Sequence, residues 1–238
     1  MRKTIPLDTM RLIGAGNWLG LYGFDTASGY REIAMRKNGR FKAAKCLVLY
    51  TDPRFWEKLR HNTSNGLPTF LHNLRNIGLD NLQVLFLASD KPCTYPESPD
   101  LGGLAANYQL EIPGGVADSV GENALAIGIR ELCEEYGCSS ADVAMTAPLV
   151  TDVYAANDAG GQVEFYSTYL ALVTKKPEPP EKEGVIPEKC ALVPLLEAEN
   201  FLMEQGGQGI LLEWLTLASL SHLGLLLCGG WASLSQRQ

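Results

Sequence analysis

The chain has 238 residues, with 20 Lys and Arg against 27 Asp and Glu and a formal net charge of −7. Hydrophobic residues at 46% and charged residues at 20% exclude a mostly disordered or collagen-like chain, and the acidic balance argues against a protein that lives on a nucleic-acid backbone, where Lys and Arg must neutralise phosphates. The six Cys form no CxxC pair and, with only three His, supply no zinc ligand set of the usual spacing, so reduced thiols in a cytoplasmic protein are expected.

Met1 to Asp8 has basic residues but no apolar run, and no secretory signal is expected. Residues 16–36 read as two strands, Asn17 to Phe24 and Tyr30 to Met35, joined by a turn around Asp25 to Gly29. Phe41 to Tyr50 is a third strand candidate, stopped at Pro53. Residues 52–80 mix Asn, His, Arg and Gly among short apolar groups and are taken as an inserted loop with one or two short helices. Leu82 to Ala88 is a nearly continuous apolar run, the pattern of a buried strand. After Tyr108 to Pro113, Gly114-Gly115 opens a loop into a helix from about Asn123 to Tyr136, ended by Gly137.

Val163 to Val173 is another strand, Lys175 to Glu188 a solvated loop rich in Pro and Glu, and Cys190 to Leu195 a last short strand before a helix over Glu197 to Gln205. Between Glu213 and Arg237 there is no formal charge, a length that could span a bilayer. However, Thr216, Ser219 and His222 recur every third residue and Gly229-Gly230 interrupts the far end, so Gly209 to Leu227 is read as a C-terminal helix with one polar stripe, packed on the domain. Strands mixed with a few helices give an α/β or α+β domain with a mixed sheet.

The chemistry concentrates in Gly115 to Cys138. On a helix, Glu131, Glu134 and Glu135 stand at i, i+3 and i+4 and share one face, while Leu125, Ile129, Leu132 and Tyr136 mark a buried stripe. Like charges so crowded cost stability unless a cation offsets them, and a hard divalent ion with oxygen ligands does so. Acidic runs on helices are usually solvated faces. A glycine loop before the helix, Arg130 beside Glu131, and Glu122 eight residues before Arg130 count against that reading here.

This segment resembles the Nudix box, G-x5-E-x7-R-E-U-x-E-E-x-G-U with U aliphatic, and Glu122, Arg130, Glu131, Leu132, Glu134, Glu135 and Gly137 match in place. It departs twice: one extra residue separates Gly115 from Glu122, and Cys138 stands where an aliphatic residue is usual. Tyr30-Arg-Glu-Ile, Asp90-Lys91-Pro92 after the apolar strand, and Glu111-Ile-Pro-Gly-Gly look like the ADP-ribose and nucleoside-diphosphate-sugar pyrophosphatase branch. The resemblance implies a Nudix-type α/β/α sandwich over residues 44–238, with 52–80 inserted. It also implies a small antiparallel β appendage over 1–43 and a homodimer, for which the apolar Trp18, Leu21 and Phe24 would supply contact surface.

Carried over residue by residue, the resemblance makes Glu131, Glu134 and Glu135 holders of Mg²⁺, or of Mn²⁺ in its place, with the Gly114 carbonyl as a further ligand. Arg130 would lock the carboxylates, Glu122 would hold the loop, and Lys91, Glu111 and Gly115 would meet the substrate. Glu183 and Glu188 are the candidates for the base. The implied reaction is hydrolysis of a nucleotide sugar to a nucleoside monophosphate and a sugar phosphate. The alternatives are another Nudix substrate, such as a dinucleoside polyphosphate or a damaged nucleotide, and a nucleotide sensor without turnover, against which the complete carboxylate set argues. No nucleic-acid or membrane partner is expected.

Overall fold

The strand at the centre of the molecule, β4 (Lys42–Tyr50), is buried from Ala43 to Leu49. It pairs in parallel with β9 (Val163–Val173), and a strand so placed, with helices over both faces, reads as a near-continuous apolar run. The structure, a computed structural model, describes residues 10–15, 19–26, 29–36, 42–58, 66–89, 108–119, 121–156, 163–180 and 185–228.

The main sheet has eight strands, running β11 (Leu211–Leu212), β6 (Gln109–Glu111), β5 (Gln83–Ser89), β4, β9, β8 (Val143–Ala156), with β10 (Ala191–Pro194) paired to β5 and β7 (Gly114–Val116) to β4. The pairs β4/β9 and β6/β11 are parallel and the others antiparallel, which makes the sheet mixed. Alternation along the strands sends Leu47, Leu49, Phe86, Leu170 and Leu172 to one face. There they pack with residues of α2 (Leu67–Ile77), α4 (Ala198–Gly207) and α5 (Trp214–Leu227), among them Phe70, Leu74, Leu202 and Leu223. Phe86 stacks on Phe201 with ring centroids 5.7 Å apart. Cys46, Val48, Leu85, Ala171 and Val173 go to the other face and meet Leu132 and Tyr136 of α3 (Ala124–Tyr136). The expected α/β/α sandwich is therefore the observed one. A second, antiparallel sheet of β1 (Arg11–Ala15), β2 (Leu19–Thr26) and β3 (Gly29–Arg36) forms the N-terminal appendage.

The structure departs from the sequence reading at β1, β8 and residues 52–80, and gives the polar stripe of α5 its direction. β1 and β8 are absent from that reading. β8 is the last strand of the sheet path, its register against β9 shifts three times, and Pro148, which has no N–H to give a ladder, sits inside it; each feature breaks the period-two pattern that marks a strand. Within 52–80, α1 (Pro53–Glu57) is short, but α2 is a full core helix, with Phe70 and Leu74 completely buried. In α5 the polar stripe faces inward: Thr216 and Ser219 are buried while Trp214 and Leu225 are exposed, because the main chain of residue 112 needs the Thr216 hydroxyl. Among the described residues, no helix is long and apolar enough to cross a membrane.

Local signals set α3. The Asn123 side chain accepts from the Leu125 N–H at 2.8 Å as the N-cap, and Gly137 takes the left-handed conformation, φ 65°, that ends the helix. Gly128 lets α3 lie close on β4, since a Cβ there would stand 2.9 Å from the Cys46 Sγ. Gly128→Leu is therefore expected to overpack this contact and lower stability by about 1–3 kcal/mol. Thermal melting checks this, with Cys46→Ala in the same chain expected to recover part of the loss.

Candidate active site

Gly128, Glu131 and Glu135 stand at i, i+3 and i+7 on α3 and form one line facing β4 and β7. The buried residues of the helix are Ile127, Gly128, Leu132 and Tyr136, so two of the three carboxylates flank the buried stripe rather than opposing it. Glu131 reaches the Gly114–Gly115 strand so closely that a Cβ on Gly115 would collide with its carboxylate, and a Cβ on Gly114 would collide with the Lys45 side chain and stand 2.6 Å from the Ala44 carbonyl oxygen. Close approach, not left-handed backbone, accounts for both glycines. The Gly114 N–H donates to Glu135 Oε2 at 3.1 Å.

Arg130 closes the loop before the helix. Its guanidinium donates to the Val116 carbonyl at 2.9 Å and to Glu131 Oε1 at 2.7 Å, and stands 3.7 Å from Glu134 and 3.3 Å from Asp118. Glu122 accepts from Arg130 at 3.4 Å and from the Asp118 N–H at 2.7 Å. Glu131 and Glu134 thus share a cation and a face with Glu135 without sharing a point. Among the described residues, no group of three or more His, Cys, Asp or Glu is gathered tightly enough to hold a metal ion.

Behind this face lies a buried charge cluster that the sequence reading missed. Lys45 Nζ is 3.0 Å from Glu111 Oε2, 2.6 Å from Glu213 Oε1 and 3.3 Å from the Ile112 carbonyl oxygen. Burial works against the Lys45 ammonium, but the Glu111 and Glu213 charges outweigh it and hold its pKa above the ordinary value. The signal was a lone charge on the core-facing side of an apolar strand, which needs a buried partner. Glu111 is only 4% exposed and engaged by Lys45. Glu188 is exposed on a short 3₁₀ turn, Pro187–Lys189. Lys91, Glu183 and Trp18 lie outside the described residues, as does the side chain of Phe24. On the α5 face of the sheet, opposite α3, Val150, Tyr166, Thr168, Trp214, Leu215 and His222 line a mostly apolar cavity of about 140 Å³.

Burial, with the charges of Glu111 and Glu131, pushes the Glu135 carboxyl up to about 7, from 4.5 for an ordinary Glu. Between these values the native protein binds more protons than the unfolded chain, so this group costs stability progressively as pH rises through the window. Glu135→Gln should remove that cost. In EDTA, its melting temperature is expected to match the parent near pH 4.5 and exceed it by pH 7.5 by the equivalent of about 2–3 kcal/mol. A margin that does not change with pH would contradict the assignment.

No family model matches the chain, and no curated protein sequence matches it. Solved structures do. A structure described as an ADP compounds hydrolase aligns over 93% of this chain and 92% of its own at a TM-score of 0.52 and 13% identity. Looser likenesses are to a Nudix hydrolase from M. smegmatis, RenU (TM-score 0.45, 16% identity, 90% and 96% of the two chains), and to a C. elegans Ap4A hydrolase (0.40, 13%, 79% and 98%). With its box helix packed on a mixed sheet between two helical layers, the chain has a Nudix fold.

Proposed function

We propose that the chain is a Mg²⁺-dependent Nudix hydrolase that cleaves the diphosphate of a nucleoside diphosphate sugar of ADP-ribose or UDP-glucose type, giving a nucleoside monophosphate and a sugar phosphate. The observation that carries this reading is the α3 face, where carboxylates press against the Gly114–Gly115 strand with too little positive charge between them. Burial, with the charges of Glu111 and Glu131 beside it, is what raises the Glu135 pKa. Hard oxygen donors around an unmet negative charge fit a hard divalent cation such as Mg²⁺ or Mn²⁺. The fold shared with an ADP compounds hydrolase supports the same substrate class.

In this reading Glu131, Glu134 and Glu135 hold the cation, with the Gly114 carbonyl as a further ligand. Bound there, the cation would neutralise the diphosphate and supply an activated water. Arg130 orients Glu131 through its 2.7 Å charge-assisted hydrogen bond, and Glu122 fixes the loop that Arg130 closes. Glu183 and Glu188 are the candidate bases, and Lys91 the candidate contact to the phosphates.

The test is phosphate-product release across a panel of nucleotide sugars, dinucleoside polyphosphates and oxidised nucleotides, with and without Mg²⁺. ADP-ribose or UDP-glucose should be turned over best, and only with the metal. Glu135→Gln keeps size and helix propensity, so it should fold and yet lose roughly 10²-fold or more in turnover, the typical cost of one electrostatic element. A folded Glu135→Gln working at the parent rate would contradict the proposal.

The same reading takes the protein as a homodimer joined through the N-terminal sheet, on which Leu12, Ile13, Leu21 and Tyr30 are exposed at 53, 46, 37 and 45%. A three-stranded sheet with such a surface has little core of its own. Light scattering at micromolar concentration should give twice the chain mass of 25.9 kDa, and a monomer mass would contradict the dimer.

A further inference from the structure

A buried ammonium has three N–H donors to satisfy, and Lys45 finds three oxygens: Glu111 Oε2 at 3.0 Å, Glu213 Oε1 at 2.6 Å and the Ile112 carbonyl at 3.3 Å. The side chains are 8, 5 and 14% exposed for Lys45, Glu111 and Glu213, so water screens little of their interaction. Two carboxylates and a carbonyl around one point, with two negative charges against one positive, is also the donor chemistry of a hard divalent cation. The oxygens are held from outside the triad. The Thr216 hydroxyl donates to Glu213 Oε2 at 2.9 Å and accepts from the Ile112 N–H at 2.9 Å, while the Glu213 N–H donates to the Leu110 carbonyl at 3.0 Å.

We propose that Lys45 is a built-in cation: its ammonium fills an oxygen-lined seat between Glu111, Glu213 and the Ile112 carbonyl that would otherwise take a divalent metal ion. In doing so it holds Glu111 in place behind the α3 carboxylates and ties the N-terminus of α5 to them. The arrangement confines metal binding in this region to the α3 face. It needs only the triad, and stands whether or not the α3 carboxylates bind metal.

The experiment counts Mn²⁺ bound at saturation, by electron paramagnetic resonance of the free ion, in the full chain and its variants. Lys45→Ala should bind one Mn²⁺ more than the parent, and adding Mn²⁺ should raise its melting temperature by more than it raises the parent's. Lys45→Ala/Glu213→Gln should return to the parent count, since the vacated seat has lost one charge. A Lys45 with a purely structural role would lower the melting temperature of Lys45→Ala and leave the count unchanged, and that result overturns the proposal. If Lys45→Ala folds only with Mn²⁺ present, the rescue is itself the expected sign; if it folds under neither condition, Lys45→Gln supplies the vacancy with less loss of packing, and an unchanged count there is equally contrary. A parent that binds no Mn²⁺ would sink the proposed metal site on α3 but not this one, provided the Lys45 variant gains an ion.

Discussion

The close approach of α3 to β4 and β7 is the constraint on which the rest depends. Three glycines permit it. Gly128 brings the helix against Cys46, Gly115 leaves room for the Glu131 carboxylate, and Gly114 lets the β7 strand pass Lys45. A side chain at Gly128 would push the helix off the sheet, one at Gly115 would turn the Glu131 carboxylate away from the loop, and one at Gly114 would force β7 away from β4. The helix could satisfy its apolar face at a larger distance. It could not then bring Glu135 within 3.1 Å of the Gly114 N–H.

That approach has an electrostatic cost, and the structure answers it from two sides. Arg130 takes Glu131 and Glu122 from the solvent side, and Lys45 takes Glu111 and Glu213 from below. Glu135 lies between, and burial together with the charges of Glu111 and Glu131 pushes its pKa up to about 7, offset only in part by the Gly114 N–H and Lys45. Buried ion pairs such as Lys45 with Glu111 are weak evidence for net stability, because desolvation offsets most of the attraction. Their clear effect is to fix position. Losing one partner leaves a buried charge unmet, which constrains β4, β6 and the start of α5 to one arrangement.

The parts of the fold legible in the sequence were those with a single dominant signal. Asn123 and Gly137 bracket α3, and Val163 to Val173 shows an apolar pattern that survives in β9. The box glutamates were legible because their spacing is fixed by the helix itself. What was not legible depended on partners far along the chain. β8 carries Pro148 and repeated register shifts that only its neighbour β9 makes sense of. The polar stripe of α5 could be seen but not its direction, because the inward turn of Thr216 answers a main-chain N–H at Ile112, over a hundred residues earlier. Lys45 drew no role from the sequence, because its partners Glu111 and Glu213 lie far along the chain and meet it only in the fold.

The central claim is that the α3 carboxylates beside Gly114–Gly115 form the metal site. An anomalous difference map from crystals soaked in Mn²⁺ tests it most directly. The account predicts a peak within about 2.0–2.6 Å of oxygens from Glu131 or Glu135, and none at Lys45. Mn²⁺ located only elsewhere on the molecule, with Glu131 still turned to Arg130, would contradict it.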